Sequence, residues 1–252
     1  MSAALLALIP THHRFDLLEQ AMDSLGELPV LIVDDSPSGD LPAALGARAQ
    51  IVIRSRGQEG FARAVNQGLR HAEELGYGWV LLLNDDAIME PGAVEAMCSA
   101  RTEASGVLAP VLVHPDGREQ AGVFVRSWGR VNGRRSRGTP GDPDAVSGAC
   151  MMIRSSERFD PGFPHGMEDF ELCRRIRARG DRIQVVEAAR CLHRGGASLS
   201  PRSREGQRHG QCGQQGGRQT GRWAPLTVLH VLHTRHIPCR DVPTAAVCPH
   251  WT

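Results

Sequence analysis

The chain has 252 residues, of which 29 are basic and 28 acidic, for a formal net charge of +1. That length suits one large α/β domain with an appendage, and the near balance of charge points to neither a nucleic-acid nor a membrane partner. All 29 basic residues are arginine, which excludes any mechanism that needs a catalytic or phosphate-binding lysine. The 7 cysteines are odd in number and form no Cys-x-x-Cys pair, so no disulfide framework is implied.

The first apolar run, Ala3 to Ile9, has no basic leader and is cut by Pro10. It reads as neither signal peptide nor transmembrane segment, and a reduced cytoplasmic enzyme is the expectation. Ala4 to Ile9 is a predicted strand, and Phe15 to Leu25 a helix with Phe15, Leu18, Met22 and Leu25 on one stripe. Val30 to Val33 is a second strand, ending in Asp34-Asp35-Ser36. Ile51 to Ile53 is a third, and after a turn over Gly57 to Gly60 a helix runs from Phe61 to about Leu75. Trp79 to Leu83 follows, then a helix opened by Glu90-Pro91 and running to about Ala104, then a strand from Val107 to Val113. Strands alternating with helices call for a mostly parallel sheet covered by helices.

His114-Pro115-Asp116-Gly117 is a turn, and Gly122 to Val125 a hairpin partner. Between Arg126 and Asp144 the chain carries Arg126, Arg130, Arg134, Arg135 and Arg137 among Gly, Ser and Pro. This mobile basic stretch reads either as a solvated linker or as a lid over an anionic substrate. Ala145 to Arg154 is a strand, and Phe159 to Phe163 a turn. A helix then starts near Glu168-Asp169, where its dipole favours carboxylates. Leu172 and Ile176 mark its buried stripe, Glu171 can pair with Arg175, and Gly180 ends it. Ile183 to Val186 is a last short strand leading to Cys191-Leu192-His193.

The composition changes after Ser198. Residues 1–198 balance at −4 and residues 199–252 at +5. Gly, Gln, Arg and Ser dominate residues 199–221 without apolar periodicity, a disordered composition. The domain is therefore drawn at 1–198 and the tail at 199–252. The tail reads as a frameshifted frame or as a disordered extension; a zinc site using His230, His233, His236, Cys239 and Cys248 matches no familiar spacing.

The junction of Trp79–Leu83 with Asn84-Asp85-Asp86 carries the chemistry. An unbroken apolar run reads as a strand buried on both faces, and such strands release their next residues into the crevice at the sheet's carboxyl edge. Adjacent carboxylates there suit a cation bridging to an anion, such as a diphosphate with Mg²⁺ or Mn²⁺. The plainer alternative is a solvated acidic helix cap. Leu31 to Pro37 looks receiver-like, but a phosphorelay receiver needs a late lysine. Nucleotidylyltransferases need a Gly-rich basic loop and a lysine. Neither fits.

In order along the chain, several motifs resemble the family-2 nucleotide-sugar glycosyltransferases of the GT-A fold, rhamnosyltransferases among them. They are Ile9-Pro10-Thr11-His12-His13-Arg14; Val33-Asp34-Asp35-Ser36 with Asp40; Gly60-Phe61-Ala62 with Asn66 and Gly68; Asn84-Asp85-Asp86; Ser147-Gly148-Ala149; Phe159-Asp160; Glu168-Asp169-Phe170-Glu171-Leu172; and His193 to Ser198. The family's aromatic and Asn are replaced at His12 and His13, its second Asp at Glu171, and an Asn at Gln58. The resemblance implies an α/β GT-A domain, with a Rossmann-like, mostly parallel sheet flanked by helices. It implies metal-assisted, inverting transfer of a sugar from a nucleoside-diphosphate donor to a glycan, lipid-linked or small-molecule hydroxyl acceptor, in cell-wall or polysaccharide biosynthesis. By the same resemblance Asp86 and His193 hold Mg²⁺ or Mn²⁺. Thr11, Arg14, Asp34, Gly60, Asn66 and Asp85 contact the nucleotide-sugar, and Asp169 is the base with Glu168 beside it. A truncated or inactive member that binds nucleotide-sugar without turnover is the alternative.

Overall fold

Unbroken apolar stretches build the centre of the sheet and alternating ones its edge. In the computed structural model, which describes residues 4–126, 130–132, 142–163 and 167–195, the first half runs β1 (Leu5–Thr11), α1 (Phe15–Asp23), β2 (Val30–Asp34), α2 (Ala43–Gly46), β3 (Ile51–Arg54), α3 (Phe61–Glu74) and β4 (Trp79–Leu83). The second half runs β5 (Ala87–Met89), α4 (Ala93–Ser99), β6 (Ser105–Val113), β7 (Glu119–Gln120), β8 (Phe124–Arg126), β9 (Arg130–Asn132), β10 (Cys150–Arg154), α5 (Glu168–Ala178) and β11 (Arg182–His193).

The large sheet has the order β3-β2-β1-β4-β10-β6-β11-β5, with β7 beside β6. β3, β2, β1 and β4 run parallel. β10 is antiparallel to both β4 and β6, and β11 is parallel to β6. The strands β2 and β4, which flank β1, are buried at every position, as a strand covered on both faces must be. Side chains alternate between the two faces. Ala7, Ile9, Ile32, Leu81 and Leu83 pack with Leu18, Met22 and Met97 of α1 and α4. Leu6, Leu8, Leu31, Val80 and Leu82 pack with Val65, Leu69, Leu172 and Ile176 of α3 and α5. Gly68 lets α3 lie directly on β1, since a Cβ there would come within 2.2 Å of a Leu8 methyl.

Several expected elements are revised. The helix expected at Pro91 begins at Ala93, because Gly92 adopts the left-handed conformation just before it. Three residues from Ala87 form β5 instead of loop, held by pairing with β11. β11 extends over 12 residues where only Ile183 to Val186 was expected, because its second half carries a register shift against β6. The hairpin partner of β6 is Glu119–Gln120 rather than Gly122 to Val125; Val123 instead bridges Ala145, and Phe124–Arg126 pairs with Arg130–Asn132. Regular strand begins at Cys150, not Ala145. Arg134, Arg135 and Arg137 of the basic stretch lie outside the described residues, as does the whole tail 199–252. Among the described residues no helix is long and apolar enough to cross a membrane.

Candidate active site

Neighbouring parallel strands deliver Thr11 from the end of β1, Asp34 from β2 and Asn84-Asp85-Asp86 from just beyond β4. A tight turn fixes the acidic pair: the Asn84 N–H donates to the Ala149 carbonyl at 2.9 Å, and the Ala87 N–H to the Asn84 carbonyl at 3.1 Å. Asp85 and Asp86 are only 6% and 5% exposed. Adjacent buried carboxylates repel, so compensating groups are needed. The Thr11 hydroxyl donates to Asp85 Oδ2 at 2.9 Å. The Arg14 guanidinium, from the loop after β1, lies 3.8 Å from Asp85 and 3.5 Å from Asp86.

His193 arrives from a distant part of the chain. The antiparallel pairing of β5 with β11 sets His193 opposite Ala87, and its Nε2 lies 3.4 Å from Asp86 Oδ1. The Arg194 N–H donates to the Asp86 carbonyl at 3.0 Å, tying the same strand end to the acidic turn. Burial pushes the Asp85 carboxyl up to about 6, against the opposing pull of Arg14 and the Thr11 hydroxyl. Burial would raise Asp86 too, but His193 and Arg14 outweigh it and hold its carboxyl below the ordinary aspartate range.

Asp169 lies in the first turn of α5. Its Oδ2 accepts the Gly148 N–H at 3.0 Å and its Oδ1 the Phe170 N–H at 2.7 Å. Gly148 stands next to Ala149, whose carbonyl anchors Asn84, so Asp169 and the acidic turn are joined through two consecutive residues. Dehydration raises the Asp169 carboxyl even though the residue keeps some accessible surface, and the main-chain N–H groups offset only part of that rise. A Cβ at Gly148 would lie 3.5 Å from both Asp169 and the Phe61 ring. Phe61 in turn meets Phe159 edge-on, with centroids 5.6 Å apart. Glu168, the first residue of α5, is partly buried beside it.

Three residues expected at the nucleotide-sugar are engaged by the protein itself. Asn66 uses both ends of its amide on the Phe159 main chain, donating to its carbonyl and accepting from its N–H, each at 2.8 Å. Asp34 Oδ1 accepts from the Ser36 N–H at 3.0 Å and from the Ser36 hydroxyl. The Gly60 N–H is taken by Asp35 Oδ2 at 3.1 Å, and its φ of 85° is one that a side chain would strain. Glu171 forms a two-pronged pair with Arg175, both contacts at 3.0 Å, which commits it to helix α5.

Sequence reasoning missed two neighbours of the crevice. His114 follows β6, and because Val113 pairs with Leu192 its ring stands 5.9 Å from that of His193. Burial lowers the His114 imidazole, as does the neighbouring His193, against a hydrogen bond to Gln120. Asp35 is the other: it receives the Ser55 hydroxyl and the Glu59 and Gly60 N–H groups, clamping the loop before α3. Only the strand pairing, which the local sequence does not carry, reveals either.

Orphaned buried atoms mark where a metal would fit. Asn84 Oδ1, Asp86 Oδ1 and His193 Nδ1 are buried with no hydrogen-bond partner, so unsatisfied acceptors cluster at the acidic turn. Carboxylate oxygen and imidazole nitrogen suit Mg²⁺ or Mn²⁺. Among the described residues no three His, Cys, Asp or Glu side chains are grouped to enclose an ion. The fit is thus to an ion with few protein donors.

Comparison with known proteins decides the family. The family model for glycosyl transferase family 2 matches residues 7–158. The chain belongs to this family. The match takes in Thr11, Asp34, Gly60, Asn66 and Asp86, whereas Asp169 and His193 lie beyond it. GalNAc-T7, crystallised with UDP, GalNAc and Mn²⁺, shares 16% identity at a TM-score of 0.62, over 76% of this chain and 44% of that one. A197 from STIV shares 12% identity at a TM-score of 0.50, over 75% of this chain and 85% of that one. At such identities the likeness shows the fold, which is of the GT-A type. The chain spans less than half of the GalNAc-T7 chain. A search of curated proteins gave no match.

Proposed function

We propose that this family-2 chain transfers a sugar from a nucleoside-diphosphate donor to a hydroxyl acceptor, with inversion. The observation that carries the reading is the convergence of Thr11, Arg14, Asp85, Asp86 and His193 on one turn at the carboxyl edge of the parallel strands. Asp86 and His193 would hold Mg²⁺ or Mn²⁺, with the remaining positions left to water and the donor's phosphates. When bound, the ion supplies Lewis-acid stabilisation of the leaving diphosphate.

The chain's own residues do the remainder. Thr11 orients Asp85, and Arg14 offsets both carboxylates on the donor side. Asp34 and Gly60 shape the base-side rim, and Asn66 acts from behind by fixing Phe159. Asp169 accepts the proton of the attacking hydroxyl. Each of its oxygens receives one N–H, which leaves a lone pair for the acceptor, and its raised carboxyl is a stronger base than an ordinary aspartate. The acceptor oxygen bonds to the anomeric carbon as the bond to the diphosphate breaks, and the electron pair leaves with the diphosphate. Glu168 orients the start of α5. The acceptor is a glycan, a lipid-linked molecule or a small hydroxyl compound.

Titration of UDP-, dTDP- and GDP-sugars with and without Mn²⁺ tests the donor half. Metal-enhanced binding of one of them is expected, and none for any donor would overturn the reading. Binding with no release of nucleoside diphosphate under any acceptor assigns the chain instead to a non-catalytic role.

A further inference from the structure

The inner face of α3 packs Ala62, Val65, Leu69 and Ala72 on the sheet. Its outer face, with the loop after β3, borders an open groove of about 770 Å³. Arg54, Arg56, Gln58, Arg63, Gln67 and Arg70 line it. Residues 63, 67 and 70 share one helix face, and the two arginines are spread along roughly 10 Å of the axis. None of these side chains bonds Thr11, Arg14, Asp85, Asp86 or His193, although the wall runs through Glu59 to Gly60 at the base-side rim.

The groove sets four arginines against a single carboxylate, Glu59, and so keeps a positive excess. Among the described residues no carboxylate lies within ion-pair reach of Arg56, Arg63 or Arg70, all three of which are exposed. Elsewhere on the surface Arg48, Arg118, Arg177 and Arg182 each hold an aspartate. Arg54 spends its guanidinium on the carbonyls of Ser38 and Gly39. The lining carboxylate, Glu59, is occupied by the Gln67 amide at 2.6 Å.

The wall is also preorganised. Asp35 takes the Glu59 and Gly60 N–H groups at 3.0 and 3.1 Å, and Gln58 is held at a φ of 56°, unfavourable for a residue with a side chain. Unpaired like charges on a rigid concave surface are relieved by an anion, and guanidinium forks match phosphate oxygens.

We propose that this groove binds a ligand carrying several phosphates, on the outer face of α3 beside the rim of the donor crevice and away from its acidic turn. The phosphates come either from a soluble polyphosphate or from lipid headgroups. The full chain is titrated with inorganic tripolyphosphate in EDTA, which leaves the donor crevice without metal. In parallel it is floated with vesicles of phosphatidylglycerol in phosphatidylcholine. Arg63→Gln/Arg70→Gln should weaken binding roughly tenfold or more, with Tm and metal-dependent nucleotide binding unchanged. Arg48→Gln/Arg118→Gln, an equal change in net charge elsewhere, should leave it intact. Tripolyphosphate binding without vesicle binding assigns the soluble source, and vesicle binding assigns the headgroup. Binding of neither probe, equal loss in the control, or tighter binding of a short RNA than of tripolyphosphate each overturns the proposal.

Discussion

Two Asp-Asp pairs end two strands that flank β1, and in sequence they are nearly interchangeable. Asp34-Asp35 ends β2, and Asp85-Asp86 follows β4. Both pairs are buried, with every member 7% exposed or less. Their neighbours differ. Asp34 and Asp35 are supplied with Ser36, Ser55 and the N–H groups of Glu59 and Gly60. Asp85 and Asp86 receive Thr11, Arg14 and the imidazole of His193, and orphaned acceptor atoms remain around them. On the proposed reading Asp35, which takes a serine hydroxyl and two main-chain N–H groups, holds the loop before α3, whereas Asp86, beside orphaned polar atoms, faces the ligand.

Variants should accordingly divide into those that lose turnover and those that lose stability. The largest effect is expected at Asp169. Asp169→Asn keeps the shape and removes the basicity, so transfer should fall by about 10²–10⁴-fold with donor binding retained, measured as nucleoside diphosphate released per enzyme. The raised carboxyl also sets signs. The base must be ionised, so transfer should fall as pH drops, with its acid limb above that of an ordinary aspartate. Between the unfolded and folded pKa the native state keeps a proton that the unfolded chain releases, so stability contributed there falls as pH rises through that window. Asp169→Asn should flatten the slope in denaturant midpoints taken across that window.

Asp35→Ala comes next. It leaves the Glu59 and Gly60 N–H groups unpaired, at about 1–3 kcal/mol for each one that stays buried. A Tm lowered by several degrees is expected, with donor affinity changed less than stability; an unchanged Tm would erase the contrast between the two pairs. Asn66→Ala should behave alike, since its amide ties α3 to Phe159. The smallest effect is at Glu168, where Glu168→Gln should cost less than about tenfold in transfer if the residue only orients α5. Loss of transfer at Glu168 with retention at Asp169 would exchange their roles.

The β-α alternation up to β4 was legible because unbroken apolar runs and the Phe15-Leu18-Met22-Leu25 stripe of α1 are local signals. Asp86 stood out for the same reason, at the end of such a run. What could not be read locally was pairing. β5 is three residues long and exists through β11, so neither it nor the approach of His114 to His193 leaves a mark in the sequence. The satisfaction of Asn66 and Asp35 by main chain far along or across the loop was equally hidden. Motif order put Asn66 at the ligand; that its amide also ties α3 to the Phe159 main chain was not visible there.

The most direct measurement is calorimetric titration of UDP, or of the donor nucleotide found in the panel, with and without Mn²⁺. The wild type, Asp86→Ala and Asp35→Ala are compared at a temperature where all three are folded. The expected result is metal-enhanced affinity in the wild type and in Asp35→Ala, and its loss in Asp86→Ala with metal-free affinity little changed. Enhancement that survives Asp86→Ala, or disappears in Asp35→Ala alone, would contradict the assignment of Asp86 to the ligand and Asp35 to the scaffold.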